Sequence, residues 1–261
     1  MAIHATAIIH PKAELDIRVD VGPFAVIDEG VQLASDCIVG PHVHLTGQLT
    51  VGEGCQFHAG AVIGDTPQDM KYLNEPTRLR IGDHNIFREH VTVHRSNSAD
   101  EDTTIGEGNF FMANSHLGHN CHVGNHNVIV NGALIAGHVT IEDRVFISGN
   151  CMVHQFARIG TLAMMQGGAG ISKDLPPFMM SMANNTVCGL NTVGLRRAGF
   201  NPAERTELKK LYHHLYSGEL RLSEAVIQGM ELFSSAPCQQ VLTFIQSSQR
   251  GICRDIRDKN G

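Results

Sequence analysis

Histidine is the residue type whose number and spacing in this chain point most directly to chemistry. The 261 residues include 16 histidines, and residues 116–122 read HLGHNCH, with three histidines at a spacing of three. A neutral imidazole accepts a proton near neutral pH, and it also binds zinc. The segment therefore admits two kinds of site, a general base for proton transfer or a metal centre.

The element that must position these histidines is predicted by a period of six. Every sixth residue is apolar over 3–63, 81–93 and 105–171, and a second track four residues later carries small or branched side chains such as Cys37 and Cys55. This period suits neither an amphipathic helix nor an alternating strand, but it suits a parallel β-helix in which three hexads close one coil. We therefore expect an all-β fold in which residues 18 apart stack.

The repeat is interrupted twice and then ends. Residues 65–80 (DTPQDMKYLNEPTRLR) and residues near 96–104 (SNSADEDTT) leave the period of six, and loops that leave a solenoid often carry function. The pair Pro176-Pro177 is expected to stop the coils. The predicted organisation is a β-helix over 1–175 with inserted loops at 65–80 and about 96–104, an irregular connector over 176–200 and a C-terminal α-helical domain over 201–261.

The last part of the chain changes to a helical period. Asn201-Pro202-Ala203-Glu204 has the residues of a helix start, with an N-cap side chain, a proline and a glutamate three residues after the cap. The predicted apolar stripe of this helix consists of Leu208, Leu211, Tyr212 and Leu215. A second helix is expected to open near Ser223 and a third to contain residues 241–244. Together they would cover the sheet edge at the end of the coils.

Charge and composition exclude several classes of function. The net charge of −6 argues weakly against nucleic-acid binding. No apolar run approaches the 18 residues of a membrane span, and the N-terminus lacks a charged segment followed by an apolar core. The seven cysteines are interpreted as reduced thiols that pack as small hydrophobic residues. These features predict a cytoplasmic protein without membrane insertion.

Coil arithmetic predicts which of the histidines meet. Three sides per coil give the stacked coils the shape of a prism. If the inserted residues near 96–104 are discounted, the hexads that begin at Val93, Leu117, Ile135 and Val153 lie on one side of this prism. Their second to fourth positions then form columns that read His94, Gly118, Ala136, His154; Arg95, His119, Gly137, Gln155; and Ser96, Asn120, His138, Phe156. Four histidines, a glutamine and two glycines thus crowd one patch, which His116 joins from the neighbouring corner. The glycines leave a gap through which a substrate could approach backbone N–H groups.

The metal alternative is disfavoured for His116, His119 and His122 as a set. Successive histidines of this set are three residues apart, which is half of one side of the coil. Their side chains are therefore expected to point to different sides of the coil rather than to one metal ion. General acid/base catalysis by one imidazole with polar helpers is the interpretation that remains.

Several segments resemble one family closely. They read QDMKY, NSHLGHNC, IAGHV, VHQF, KDLPPF and GLNTVGLRRAGF. They are similar to the acyl-carrier-protein-dependent UDP-N-acetylglucosamine acyltransferases of lipid A synthesis (LpxA), and the resemblance covers the whole chain. It implies a left-handed β-helix, a homotrimer and no cofactor. The implied activity is transfer of an (R)-3-hydroxyacyl chain from acyl carrier protein to the 3-position of UDP-N-acetylglucosamine, the first step of lipid A biosynthesis.

The resemblance also implies roles for individual residues. His119 resembles the general base that takes the proton from the sugar 3-hydroxyl, and the N–H of Gly137 resembles the oxyanion donor. Gly167 falls where the family sets acyl-chain length, and a missing side chain there favours a long chain. The substrate-contacting positions of the family correspond to Gln68, Asp69, Lys71, His116, His138, His154 and Gln155, and the nucleotide-contacting ones to Asn191 and Arg197. His94, which the columns place in the same patch, is assigned to substrate binding as well.

Three departures from the family pattern leave alternatives open. Asn120 stands where many members have an aspartate beside the base, Val193 where a glutamate is often found, and Ala198 where a second arginine is common. Such variation is compatible with a 3-amino analogue of the same sugar, which would give an amide. The other alternative is a trimeric zinc hydratase of the γ-carbonic anhydrase type, which shares the solenoid. Candidates for docking the acidic carrier protein are Lys209, Lys210, Arg250, Arg254 and Arg257.

Overall fold

The computed structural model describes residues 2–216 and 220–256, and short strands recur through most of this part of the chain. The strands of the coils are β1 (Ile8–Ile9), β2 (Glu14–Leu15), β3 (Asp20–Val21), β4 (Val26–Ile27), β5 (Val31–Leu33), β6 (Ile38–Val39), β7 (His44–Leu45), β8 (Gln48–Val51), β9 (Gln56–Phe57), β10 (Val62–Asp65), β11 (Arg78–Ile81), β12 (Ile86–Phe87), β13 (Thr92–His94), β14 (Thr103–Ile105), β15 (Phe110–Phe111), β16 (His116–Leu117), β17 (His122–Val123), β18 (Val128–Ile129), β19 (Leu134–Ile135), β20 (Thr140–Ile141), β21 (Phe146–Ile147), β22 (Met152–Val153), β23 (Arg158–Ile159), β24 (Met164–Met165) and β25 (Gly170–Ile171).

These strands form three parallel sheets, because each coil contributes one strand to each side of a prism. The first sheet runs from β1 through every third strand to β25, the second from β2 to β23, and the third from β3 to β24. The predicted β-helix is therefore confirmed. Every coil passes from the first sheet to the second at the same place, which we call the loop corner.

The strand register shows how the two inserted loops are accommodated. Val26 pairs with His44, three hexads further along the chain, as the period predicts. Val62 pairs with Thr92, and Thr92 pairs with His116, and both of these separations are longer than three hexads. The first loop thus lengthens its coil by the equivalent of two hexads and the second by one. Both leave the prism at the loop corner on successive coils, and the strands on either side remain paired.

The predicted inward positions form the core. Cys37 and Cys55 are fully buried, and a column of stacked rings, Phe57, Phe87 and Phe111, has centroid separations of 5.2 and 5.0 Å. Ile3 differs, because it lies on the first coil, where no preceding coil covers it, and it is 45% exposed.

The segment 176–200, expected to be irregular, is regular, and this prediction was wrong. It holds the strands β26 (Met179–Ala183) and β27 (Thr186–Leu190), paired as an antiparallel hairpin, and the helix α1 (Thr192–Arg197). The two prolines lie at a corner, outside any strand, where no ladder N–H is needed. The third sheet therefore continues past them, with β26 parallel to β24.

The C-terminal region contains the three expected helices, α2 (Pro202–Tyr216), α3 (Leu222–Leu232) and α4 (Ala236–Gln246). The start of α2 is confirmed, since the N–H of Glu204 donates to the Asn201 side chain and the Glu204 carboxylate accepts from the N–H of Asn201. The predicted stripe of α2 is buried. A last strand, β28 (Arg254–Asp255), joins the third sheet beside β27. Within the described ranges, no helix combines the length and the apolar character needed to cross a bilayer.

Candidate active site

A cavity of about 830 Å³ lies along the outer face of the first sheet, and it gathers most of the predicted patch. The predicted site residues that line it are Gln68, His94, His116, His119, Gly137, His154 and Gln155. The columns are confirmed by the register, since Leu117 pairs with both Val93 and Ile135 and Ile135 pairs with Val153. The stacking of hexads is thus what brings these side chains together.

His119 and Gly137 face each other on adjacent coils. A β-carbon on Gly137 would lie 2.7 Å from both Cε1 and Nε2 of the His119 ring, so this glycine leaves the space that the imidazole occupies. Gly118 opens the same place from its own coil, because a β-carbon there would lie 2.7 Å from the Gly137 nitrogen. Among the described residues, no hydrogen bond uses the N–H of Gly137. That donor is available to a bound group.

Hydrogen bonds around Asn120 determine which nitrogen of His119 carries the proton. Oδ1 of Asn120 accepts from the N–H of Asn97 at 3.0 Å, and Nδ2 donates to the Glu101 carboxylate at 2.8 Å. A backbone N–H only donates and an ionised carboxylate only accepts, so the amide has one orientation. Nδ1 of His119, 2.8 Å from Oδ1, is therefore the protonated nitrogen, which leaves Nε2 unprotonated and able to accept a proton.

Asn120 itself is held tightly at the loop corner. It is fully buried and has a φ of 56°, a region in which asparagine is enriched among non-glycine residues. Its Nδ2 also donates to Oγ of Ser96 at 2.8 Å, and its backbone N–H donates to Oγ1 of Thr103 at 2.8 Å. The amide that orients the imidazole is thus fixed in position.

The second loop supplies residues that sequence reasoning missed. Residues 96–104 only read as polar, yet Asn97 and Glu101 bond to Asn120, as does Ser96, which the predicted column had already placed beside it. Glu101 also contacts Nε2 of His122 at 2.9 Å. Partial burial raises the pKa of Glu101, but hydrogen bonds from His122 and Asn120 outweigh burial and leave the pKa below its ordinary value. The signal that could have found them is that this loop and His119 share one corner on successive coils.

The first loop is tied to the second through Asp69. Its Oδ2 accepts from Nδ2 of Asn97 at 2.7 Å, and its Oδ1 accepts from the N–H of Lys71 at 3.0 Å. The hydrogen bonds from Lys71 and Asn97 lower the pKa of Asp69. Gln68 lines the cavity, and Lys71 is exposed on the same loop. The loop therefore brings the Gln68 amide to the cavity and carries an anion and a cation next to it in the sequence.

The other predicted histidines surround His119 with rings. His116 meets His94 at a centroid distance of 5.2 Å, and burial together with His94 lowers the pKa of His116 to about 4. His138 meets His119 edge-on at 5.0 Å and stacks on Phe156 at 4.5 Å. Burial and the nearby His119 lower the pKa of His138. His116 is therefore neutral at pH 7.

The histidines do not converge on a metal position. His116 belongs to β16 in the first sheet and His122 to β17 in the second, so the loop corner separates them. Over 2–216 and 220–256, no three His, Cys, Asp or Glu side chains are arranged to hold a metal ion.

Asn191 and Arg197 lie elsewhere in the chain, in a second cavity of about 810 Å³ beside the third sheet. Val193 and Ala198 line the same cavity. The Asn191 side chain accepts from the N–H of Gly194 at 2.9 Å and donates to the carbonyl of Leu162 at 2.9 Å, so it caps α1. Within one chain, the structure thus does not bring these two residues to His119.

Arg144 is a further residue of this second cavity that sequence reasoning missed. It is exposed, and it adds a guanidinium to the cavity that Arg197 and Ala198 also line. No local sequence pattern links Arg144 to this cavity, because Arg144 lies on a coil far before Asn191 in the chain.

The far end of the first cavity is apolar. Outward-facing Leu134 and Met152 line it, and Gly170 follows Met152 in the register. Gly167 lies at an exposed corner, where an added β-carbon would have the Gly149 carbonyl oxygen at 3.6 Å as its nearest neighbour among the described residues, apart from those adjacent in the chain. There is room at that corner for a larger side chain.

The candidate docking residues do not form one set. Lys209 and Lys210 are exposed on α2, and Arg254 is exposed on β28. Arg250 instead donates to the carbonyl of Ser172 at 2.8 Å and approaches Nδ1 of His154 at 3.5 Å, at the rim of the first cavity. Arg257 lies outside the described residues.

Two family models match the chain. The model described as UDP-N-acetylglucosamine O-acyltransferase, domain 2, matches residues 174–253, and that of the bacterial transferase hexapeptide, six repeats, matches residues 102–137. The second match covers the coils that carry His119 and Gly137, and the first covers the hairpin and the helices.

Similar proteins align over nearly the full length. The acyl-[acyl-carrier-protein]–UDP-N-acetylglucosamine O-acyltransferase of Thermodesulfovibrio yellowstonii is 42% identical over 255 residues, and that of Paraburkholderia xenovorans is 43% identical over 259; each match covers 97% of this chain and 99% of the relative. The structure of LpxA from Acinetobacter baumannii superposes with a TM-score of 0.94 at 34% identity, covering 97% of this chain and all of that one. By its sequence and its fold, the chain belongs to the family of acyl-[acyl-carrier-protein]–UDP-N-acetylglucosamine O-acyltransferases.

Proposed function

We propose that this chain transfers an (R)-3-hydroxyacyl group from acyl carrier protein to the 3-position of UDP-N-acetylglucosamine, the first step of lipid A biosynthesis. Family membership supports the proposal, and one arrangement in the chain carries it. An imidazole with a free Nε2 lies against an available backbone N–H donor, His119 against Gly137. Acyl transfer needs a base for the nucleophile and a donor for the developing oxyanion.

His119 is the general base of the proposed reaction. Nε2 takes the proton of the sugar 3-hydroxyl while the hydroxyl oxygen attacks the thioester carbonyl carbon. When the tetrahedral intermediate collapses and the C–S bond breaks, the imidazolium returns the proton to the departing thiolate. Asn120 holds the ring by Nδ1 throughout, so Nε2 faces the cavity in both steps.

Gly137 is the proposed oxyanion donor. Stacked coils are about 4.8 Å apart, so a carbonyl carbon placed between His119 and Gly137 can have its nucleophile near the ring and its oxygen near the N–H. A donor already in place at the developing charge needs no reorganisation during the reaction. The missing side chain of Gly118 keeps the approach to this N–H open.

The first loop is the proposed site for the sugar and its diphosphate. Lys71 is a cation on an exposed loop, and Gln68 and Asp69 offer an amide and a carboxylate to sugar hydroxyls. The other side chains proposed to contact substrate are His94, His116, His138, His154 and Gln155, which surround the base, and Gly167 at the acyl end. Leu134 and Met152 offer an apolar track for the acyl chain between His116 and Gly170.

We also propose a homotrimer whose active sites lie between subunits. From β15 to β26, the outward side chains of the third sheet are apolar and only partly buried in one chain; they include Phe110, Val128, Phe146, Met164 and Met180. Such a face favours burial against another copy, and a threefold arrangement closes on itself. The nucleotide positions Asn191 and Arg197 would then complete the site of a neighbouring subunit. All seven cysteines are free, which supports a reducing, cytoplasmic location.

The experiment that tests the function is an acyl-transfer assay with purified protein. Acyl carrier protein loaded with 3-hydroxyacyl chains is supplied with UDP-N-acetylglucosamine or with its 3-amino analogue, and products are identified by mass spectrometry. We expect the O-acyl product, and a fall of at least about 10²-fold in turnover for His119→Ala. His58→Ala, at a surface ion pair with Glu89, is the control. If only the amino sugar is acylated, the acceptor is the 3-amino analogue and not UDP-N-acetylglucosamine. If neither sugar is acylated, the proposed function is refuted.

A further inference from the structure

Glu101 reaches the surroundings of His119 through Asn120. Its Oε2 accepts a 2.8 Å hydrogen bond from Nδ2 of Asn120, and the carbonyl oxygen of the same amide accepts the 2.8 Å hydrogen bond from Nδ1 of His119. One amide group therefore separates the carboxylate from the imidazole. The residue beside the base is neutral, but the next residue in the chain of hydrogen bonds carries a full negative charge.

We infer that Glu101 is a positioning residue for the base: its carboxylate, carried on the second loop, polarises the Asn120 amide and so stabilises the His119 imidazolium during acyl transfer. The inference rests on the proposed role of His119 as the base. It assigns a function to the second loop. It also places the negative charge on Glu101, one coil away from residue 120, which lies next to the histidine.

The physical reason is the cooperativity of hydrogen bonds in series. An amide whose N–H donates to an anion carries more negative charge on its oxygen, and that oxygen then accepts a stronger hydrogen bond from the ring. An anion near a histidine favours the charged ring, so the base becomes stronger. Because Asn120 is fully buried, water does not interrupt the series at the amide.

Other charged or titratable groups face this series and are part of its pH dependence. His122 and His138 approach Glu101, at 2.9 and 3.8 Å. His116, His138 and Asp69 interact electrostatically with His119. The low pKa of Glu101 keeps its carboxylate ionised over the working range, so its effect on His119 is present throughout pH 5 to 9.

A purely structural role for Glu101, holding the loop in place, is the alternative to test. Glu101→Gln retains an oxygen for Nδ2 of Asn120 but removes the charge. We expect the acidic limb of kcat/KM against pH to move to lower pH by about half a unit, and the plateau to fall about three- to tenfold, because a less stabilised imidazolium makes a weaker base. Glu101→Asp, which keeps the charge, should give a smaller shift. Glu107→Gln, which removes the carboxylate beside His126 on another corner, is the matched control and should leave the limb in place.

A second variant returns the charge. In Glu101→Gln with Asn120→Asp, a carboxylate contacts the ring directly, and we expect the limb to move back to the wild-type pH or above it. Asn120→Asp alone places two carboxylates at hydrogen-bond distance, so this single variant should lose thermal stability, and more at pH 8 than at pH 4.

A measurement without substrate separates this inference from the proposed function. The imidazole nitrogens of His119 are followed by ¹⁵N NMR against pH in wild type and Glu101→Gln. We expect a protonated Nδ1 in the neutral ring of both proteins, and titration at lower pH in the variant. An unchanged titration in a folded variant would overturn the role of Glu101 even if acyl transfer is confirmed. A shifted titration in a protein without acyl transfer would leave the coupling intact and refute the function.

Discussion

The ring of His119 occupies the space that a side chain at Gly137 would need, with Nε2 only 2.7 Å and Nδ1 3.1 Å from the position of an added β-carbon. We therefore predict that Gly137→Ala displaces the imidazole and lowers kcat/KM at least about 10²-fold, the scale of a lost general base. The backbone φ of Gly137 is not positive, so alanine does not strain it.

The control for this variant is Gly149→Ala. An added β-carbon there has its nearest neighbour at 3.4 Å and contacts no catalytic group. Steady-state kinetics and thermal unfolding of both variants make the comparison. Full activity of a folded Gly137→Ala protein would show that the ring has room to move and that this contact does not position it.

Mixed trimers test whether two subunits share a site. His119 and Arg197 line different cavities on different sheets of one chain. If His119 of one subunit works with Arg197 of its neighbour, a trimer that contains both His119→Ala and Arg197→Ala chains keeps one intact site of three. We expect inactive single variants and about one third of the wild-type rate after coexpression and tag-based purification of mixed trimers. No recovery in verified mixed trimers would place both residues in the site of one chain.

His116 should make the folded state less stable in mild acid. Burial holds the pKa of His116 at about 4, against 6.5 for an ordinary histidine, so the unfolded chain gains a proton as pH falls through this window and the folded chain does not. The stability is complete above about pH 6.5 and is lost towards pH 4. The Tm of wild type should thus fall more between pH 7 and pH 5 than the Tm of His116→Gln. His138, whose pKa is also lowered, accounts for part of the remaining slope. Parallel Tm curves would contradict the assignment.

Lys209 and Lys210 on α2 are predicted to attract the acidic carrier protein. The variant with both changed to glutamate should have a higher KM for acyl carrier protein, and the difference should shrink as salt is raised, because exposed charges are screened. The KM for the UDP-sugar should stay constant. A change in the sugar KM alone would remove this surface from carrier docking.

The repeat could be predicted from sequence because its signal is local and periodic. The pairing of Leu117 with Val93 followed from discounting the loop between them, and the 18-residue spacing of Leu117 and Ile135 placed His119 beside Gly137. The shared corner could have placed residues 96–104 near Asn120, but the specific contact of Glu101 could not be predicted, because a loop outside the period has no register to fix its path. Asn191 and Arg197 were identified by resemblance, but only the coordinates show that one chain holds them away from His119.

Both inserted loops leave the loop corner and return to it, and the strands on either side stay paired, with one register shift between Ile63 and Asp65 where the first loop begins. The β-helix can therefore accept a different inserted loop at this corner while its coils remain stacked. Substrate preference can change by exchange of residues 66–77, while Asn97 and Glu101 of the second loop keep their hydrogen bonds to Asn120. The same modularity offers protein engineers a graft position where a new recognition element arrives beside an existing imidazole, with no need to redesign the core.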